Sequence, residues 1–79
     1  MKPREIKQEH QATLKVLGQR IKKLRTEKEI GYIQMANEIG LSKNAYNSIE
    51  LGNVYFSIYS LMLIANYHGV SISSLMMDL

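Results

Sequence analysis

Apolar residues fall along this chain at helical rather than alternating intervals. Leu14, Leu17, Ile21 and Leu24 recur at offsets of three, four and three, which is one stripe along a helix of about 3.6 residues per turn. The stripe predicts a first helix over about residues 13–28, with Thr13 as its cap. Gly31 breaks the pattern, and Met35, Ala36 and Ile39 form the apolar face of a second helix that Gly40 closes in a left-handed conformation. Ser42 suits the N-cap of a third helix, Lys43 to Leu51, which turns Tyr46 and Ile49 inward and stops at Gly52. Ser57 then caps a fourth helix with Ile58, Leu61, Ile64 and Ala65 inward, ended by Gly69. Ser71 caps a short fifth helix holding Ile72, Leu75 and Met76. The β-branched residues do not alternate, so no strand is predicted. The expectation is an all-α fold of five helices on compact loops.

Between Arg4 and Ala12 the apolar residues are Ile6 and Ala12, too few to offset much ordering entropy. Residues 1–12 therefore read as a polar arm, frayed or weakly extending the first helix, and residues 13–79 as the folded domain. A chain of 79 residues and 9.1 kDa supports a single modest core, with no room for a cleft between two lobes. Its action is expected on its surface.

Several classes of chemistry drop out. The apolar run Ile58 to Ala65 is broken by Tyr59 and Ser60 and falls short of the roughly 20 residues that span a membrane. No signal-peptide pattern follows Met1-Lys2-Pro3-Arg4, so a soluble, cytoplasmic protein is the expectation. The absence of cysteine fits a reducing compartment and removes disulfides, thiol catalysis and cysteine-ligated zinc. His10 and His68 are too far apart to form a local ligand pair, so no metal is expected. No nucleophile stands beside an oriented base, the serines read as caps, and the glycines read as helix ends. Neither an enzyme nor a cofactor is expected.

The formal charge of +3 is mild, but it is unevenly spread. Met1 to Glu29 hold nine basic residues (Lys2, Arg4, Lys7, Lys15, Arg20, Lys22, Lys23, Arg25 and Lys28) against four acidic ones, and Lys43 is the only cation thereafter. A basic front third suits a phosphate backbone and equally suits a solvated helix face. The third helix sharpens the picture. Tyr46 and Ile49 pin one side of it, while Lys43, Asn44, Asn47 and Ser48 occupy the other. The major groove admits an α-helix, and its base edges offer paired donors and acceptors that Asn and Lys can match. The preceding helix, Tyr32 to Ile39, would then lie across the backbone with its N-terminal amides toward phosphate.

From about Leu17 to Leu79 the chain resembles the lambda-repressor-like family, also called Cro-like or XRE-type helix-turn-helix proteins. "LGQRIKKLRTEK" is similar to that family's first helix, "QMANEIGLSKNAYNSIELG" to its second helix, turn and recognition helix, and "SLMLIANYHGVSISSL" to its last two. The positions Ala36, Gly40, Ser42, Ile49, Glu50 and Gly52, and then Ala65, Gly69, Val70 and Leu75, match in register. The resemblance implies sequence-specific binding of double-stranded DNA by a homodimer on a two-fold site, usually to regulate transcription, with repression the favoured sense. It also implies an internal ion pair between Arg25 and Glu50. The base-contacting candidates are Lys43, Asn44, Ala45, Asn47 and Ser48. Tyr32, Ser42 and Asn53 are candidates for phosphate.

Three positions depart from the family pattern. Tyr32 stands where Gln is frequent, Leu51 stands where Asn precedes the glycine, and the loop Asn53-Val54-Tyr55-Phe56 carries no cation. Tyr55, Phe56 and Tyr59 cluster beside the recognition helix, either completing the core or forming a surface for self-association or for a protein partner. The alternative function is accordingly a protein-interaction module or an antitoxin that uses this surface, with weak or no DNA binding.

Overall fold

The computed structural model describes residues 5–79. Among these the chain forms five α-helices and no strand: α1 Gln8–Glu27, α2 Tyr32–Ile39, α3 Lys43–Leu51, α4 Ile58–His68 and α5 Ile72–Met76. Local chemistry sets most of the boundaries. The hydroxyl oxygens of Ser42, Ser57 and Ser71 accept from the backbone N–H groups of Ala45, Ser60 and Ser74 at 3.1, 3.1 and 3.0 Å, satisfying donors that a helix start leaves open. Gly40 and Gly52 close α2 and α3 at φ +97° and +68°, a region in which a Cβ is strained.

The start of α1 differs from the reading by periodicity. The helix begins at Gln8 rather than near residue 13, so residues 8–12 extend it, one of the two expectations for the arm, and Thr13 lies inside it and caps nothing. The N-cap is Lys7, whose side chain makes no capping hydrogen bond. These turns meet the Tyr55 hydroxyl of a distant loop at Lys7 and His10, a contact that no local pattern encodes.

Leu17 and Ile21 of α1, Met35, Ala36 and Ile39 of α2, Tyr46 and Ile49 of α3, Leu61, Ile64 and Ala65 of α4 and Leu75 of α5 form one core. Leu24, Phe56, Tyr67, Val70 and Ile72 pack against its edge. Two residues expected inward face solvent instead. Ile58 is 66% exposed and Met76 is 41% exposed, the one at the first position of α4 and the other at the last of α5.

One glycine does not mark a helix end. Gly18 is buried in the body of α1, where a Cβ would meet the backbone carbonyl oxygens of Glu50 and Ile49 at 2.5 and 2.6 Å. At Gly52 a Cβ would lie 2.6 Å from Lys15 Cα. The two glycines let the C-terminal end of α3 press directly on α1, and that contact fixes how α3 is presented.

Candidate nucleic-acid interface

The segment from α2 through the Gly40-Leu41-Ser42 turn to α3 is the centre of the site. Lys43, Asn44 and Ala45 are exposed in the first turn of α3, and Asn47 and Ser48 are half-buried further along it. Asn44, Ala45 and Ser48 line a shallow concavity with Val54, Tyr55, Ser57 and Ser60. Lys43 and Asn47 occupy the adjoining i, i+4 row of the same helix. Ser42 accepts from Ala45 with its hydroxyl oxygen, which leaves its O–H able to donate outward. Asn53 is exposed immediately after Gly52, and Tyr32 is exposed at the first position of α2.

The opposite side of α3 is fixed. Arg25 Nε donates to Glu50 Oε2 at 2.7 Å, Nη2 donates to Oε1 at 3.0 Å, and Nη1 donates to the Ile30 carbonyl at 2.8 Å. Both side chains of the pair are nearly removed from solvent. The hydrogen bonds to Glu50 raise the Arg25 pKa above its ordinary value against the opposing effect of burial. Tyr46 lies beside the pair, and its buried hydroxyl has no hydrogen-bond partner in acceptable geometry among the described residues. Burial first, and the Glu50 carboxylate second, hold this phenol far above its ordinary 10. It stays neutral, as a group inside a core must.

The basic front third does not act as one surface. Arg20 Nη1 donates to the carbonyls of Leu75 at 2.8 Å and Met77 at 2.6 Å, fastening the end of α5 to α1. With Arg25 tied to Glu50, two of the cations counted from sequence serve internal bonds. Lys28 Nζ lies 5.8 Å from the centre of the Tyr67 ring, within reach of a cation–π contact. Tyr67 donates its hydroxyl to Glu38 Oε1 at 3.2 Å. Lys15, Lys22 and Lys23 are exposed along α1, and Lys7 is exposed just before it. Lys2 and Arg4, counted with the basic arm, lie outside the described residues.

The three aromatics after the recognition helix differ in exposure and partners. Phe56 packs on the core edge. The Tyr55 hydroxyl accepts from the Lys7 amide at 3.2 Å and shares a hydrogen bond with His10 Nδ1. Tyr59 is 64% exposed, beside exposed Ile58 and Met62 on α4. The roles of Tyr55 toward α1 and of Gly18 toward α3 escaped the sequence reading. An isolated glycine inside a helical stripe is a recognisable signal of close packing. For Tyr55 the sequence holds none.

Among the described residues no helix is long and apolar enough to cross a membrane, and no group of three His, Cys, Asp or Glu side chains could hold a metal ion. A glycine-closed helix, a three-residue turn and a serine-capped second helix braced from behind define a helix-turn-helix protein. Residues 18–78 match the family described as Helix-turn-helix domain, and the chain belongs to that family, with an XRE-like fold shared by DNA-binding transcriptional regulators. Over 63 residues, 80% of this chain, it is 30% identical to the cryptic phage CTXphi transcriptional repressor RstR of Vibrio cholerae. The alignment covers 57% of that relative, so the chain spans little more than half its length. The crystal structure of the restriction-modification controller protein C.AhdI from Aeromonas hydrophila superimposes with a TM-score of 0.76 at 27% identity, covering 84% of this chain and 96% of that one.

Proposed function

We propose that the chain is a transcriptional repressor that binds a specific two-fold site in double-stranded DNA as a homodimer. The observation that carries this reading is the division of α3 into two sides. Tyr46, Ile49 and Glu50 are buried and pinned to α1, while Lys43, Asn44 and Ala45 stand exposed. A helix held this firmly presents its outer side chains at low entropic cost, as base readout requires. Lys43, Asn44, Ala45, Asn47 and Ser48 are assigned to base edges. Tyr32, Ser42 and Asn53 are assigned to phosphates, with the N-terminal amides of α2 directed at the backbone. Residues 13–79 form the DNA-binding unit and residues 1–12 an accessory arm. The chain acts in the cytoplasm by binding alone, without catalysis or cofactor.

The homodimer reading is supported by Ile58, Tyr59 and Met62, large apolar side chains exposed together on α4. Exposed apolar clusters of this kind mark association surfaces. In a dimer the two α3 helices would enter successive turns of the major groove, about 34 to 36 Å apart. The repressor named among the relatives supports the sense of regulation.

Selection of bound duplexes from a random pool, followed by sequencing, tests the proposal. Enrichment of a palindrome with half-sites about one helical turn apart is the outcome it requires. Absence of any enriched sequence at low salt would overturn it and transfer the exposed face of α4 to a protein partner.

A further inference from the structure

The family match begins at residue 18, whereas α1 begins at Gln8. The first turns of α1 thus lie outside the stretch that the family match spans, and a loop side chain fastens them. Tyr55 accepts from the Lys7 amide at 3.2 Å and hydrogen-bonds His10 Nδ1, joining positions 48 and 45 apart in sequence. The His10 ring stands nearly edge-on to the tyrosine ring, at 5.6 Å between centres and 76°. If the phenol donates to Nδ1, its oxygen is left to receive the Lys7 N–H, so both bonds form at once. The same Tyr55 borders the concavity that contains Asn44, Ala45 and Ser48. The start of α1 is therefore tied to the edge of the proposed reading face. That edge lacks positive charge of its own, since residues 53–56 carry no cation, while Lys7 is exposed.

We propose that Tyr55 is a positioning residue for DNA binding, which holds the start of α1 beside the recognition helix so that Lys7 delivers the backbone charge that the loop after α3 lacks. This rests on the reading of the chain as a DNA-binding protein. Phosphate contacts supply register and salt-sensitive affinity without reading sequence, and a lysine at the start of an anchored helix loses less freedom on binding than one on an untethered arm. His10 is the other half of the fastening. Its Nε2 lies 3.9 Å from Glu9 Oε1.

The test measures affinity across a salt series for the full chain on its selected duplex, comparing wild type, Tyr55→Phe, Lys7→Gln and the double variant. Phenylalanine keeps the ring while removing the hydroxyl that bonds Lys7 and His10. Each single change is expected to lower the slope of log affinity against log salt by about one, with no further fall in the double variant. Unchanged slopes in both single variants overturn the inference, even if Tyr55→Phe melts at a lower temperature, because Tyr55 then serves folding alone. Additive slope losses overturn the positioning role. A wild-type chain that binds no duplex removes the proposed function and this inference together, whereas tight binding with unchanged slopes removes this inference alone.

Discussion

Arg25 and Glu50 face each other through two parallel hydrogen bonds of 2.7 and 3.0 Å across the α1–α3 contact. The geometry is bidentate, the strongest form of the arginine–carboxylate pair. Glu50→Gln leaves the guanidinium uncompensated in a nearly dry site, and a loss of about 3 to 5 kcal/mol is expected. Replacing both residues with leucine should recover a large part of that loss, since a buried pair stabilises little relative to apolar packing. Urea unfolding of the three variants decides the matter. A Glu50→Gln loss below about 1 kcal/mol, the range of surface pairs, would sink the prediction.

Gly18→Ala tests the close approach of the same two helices. Alanine favours a helix interior by about 1 kcal/mol over glycine, so propensity alone predicts a gain. The new methyl group would press on the backbone oxygens of Glu50 and Ile49, which cannot rotate away as a side chain can. Overpacking of this sort costs about 1 to 3 kcal/mol. A net fall in thermal stability is expected, together with weaker DNA binding as α3 is displaced, and a stabilised variant would refute it.

The ring of His68 sets a pH dependence. Both of its nitrogens are buried without hydrogen-bond partners among the described residues. Burial first, and the charge of Lys28 second, lower its pKa below the ordinary 6.5. Folding therefore favours the neutral ring. Its contribution is intact above pH 6.5, the unfolded value, and is lost as the pH falls below it toward the lower folded pKa. Lys28 and, through its bond to Tyr67, Glu38 are the charged groups nearby. Melting temperature should drop more for wild type than for His68→Asn between neutral pH and about pH 5, where an ordinary histidine is charged. Parallel curves would show that His68 carries none of the effect.

Asn44→Ala separates reading from folding. The residue is exposed on α3, so stability should stay within about 0.5 kcal/mol of wild type. Preference at one base-pair position should relax by about 1 to 3 kcal/mol, the worth of a bidentate contact. Binding to a set of single-base operator variants supplies the readout, and an unaltered preference profile would strike Asn44 from the base-contacting set.

What the sequence disclosed and what it withheld divide by range of interaction. Ser42, Ser57 and Ser71 act on amides three residues away, and Gly40 and Gly52 answer to their own φ angles. Such features are visible to a reader who sees a short window of chain. The start of α1 is met by Tyr55, 48 positions away, and no window contains both. Ile58 shows a third limit. It has the correct spacing from Leu61, but periodicity gives a residue's direction and not whether the core extends far enough to meet it. In the candidate interface the exposed first turn of α3 was legible from its polar composition. That Arg20 is consumed by the carbonyls of Leu75 and Met77 was not, because a charge count assigns no partners.

The nine residues of α3 separate two kinds of information. Tyr46, Ile49 and Glu50 hold the scaffold together, and Lys43, Asn44 and Ala45 spell outward. The letters can be exchanged while the grammar is kept. Under the proposed function, a lineage built on this domain changes its genomic address by exchanging exposed side chains of α3, without having to learn again how to fold.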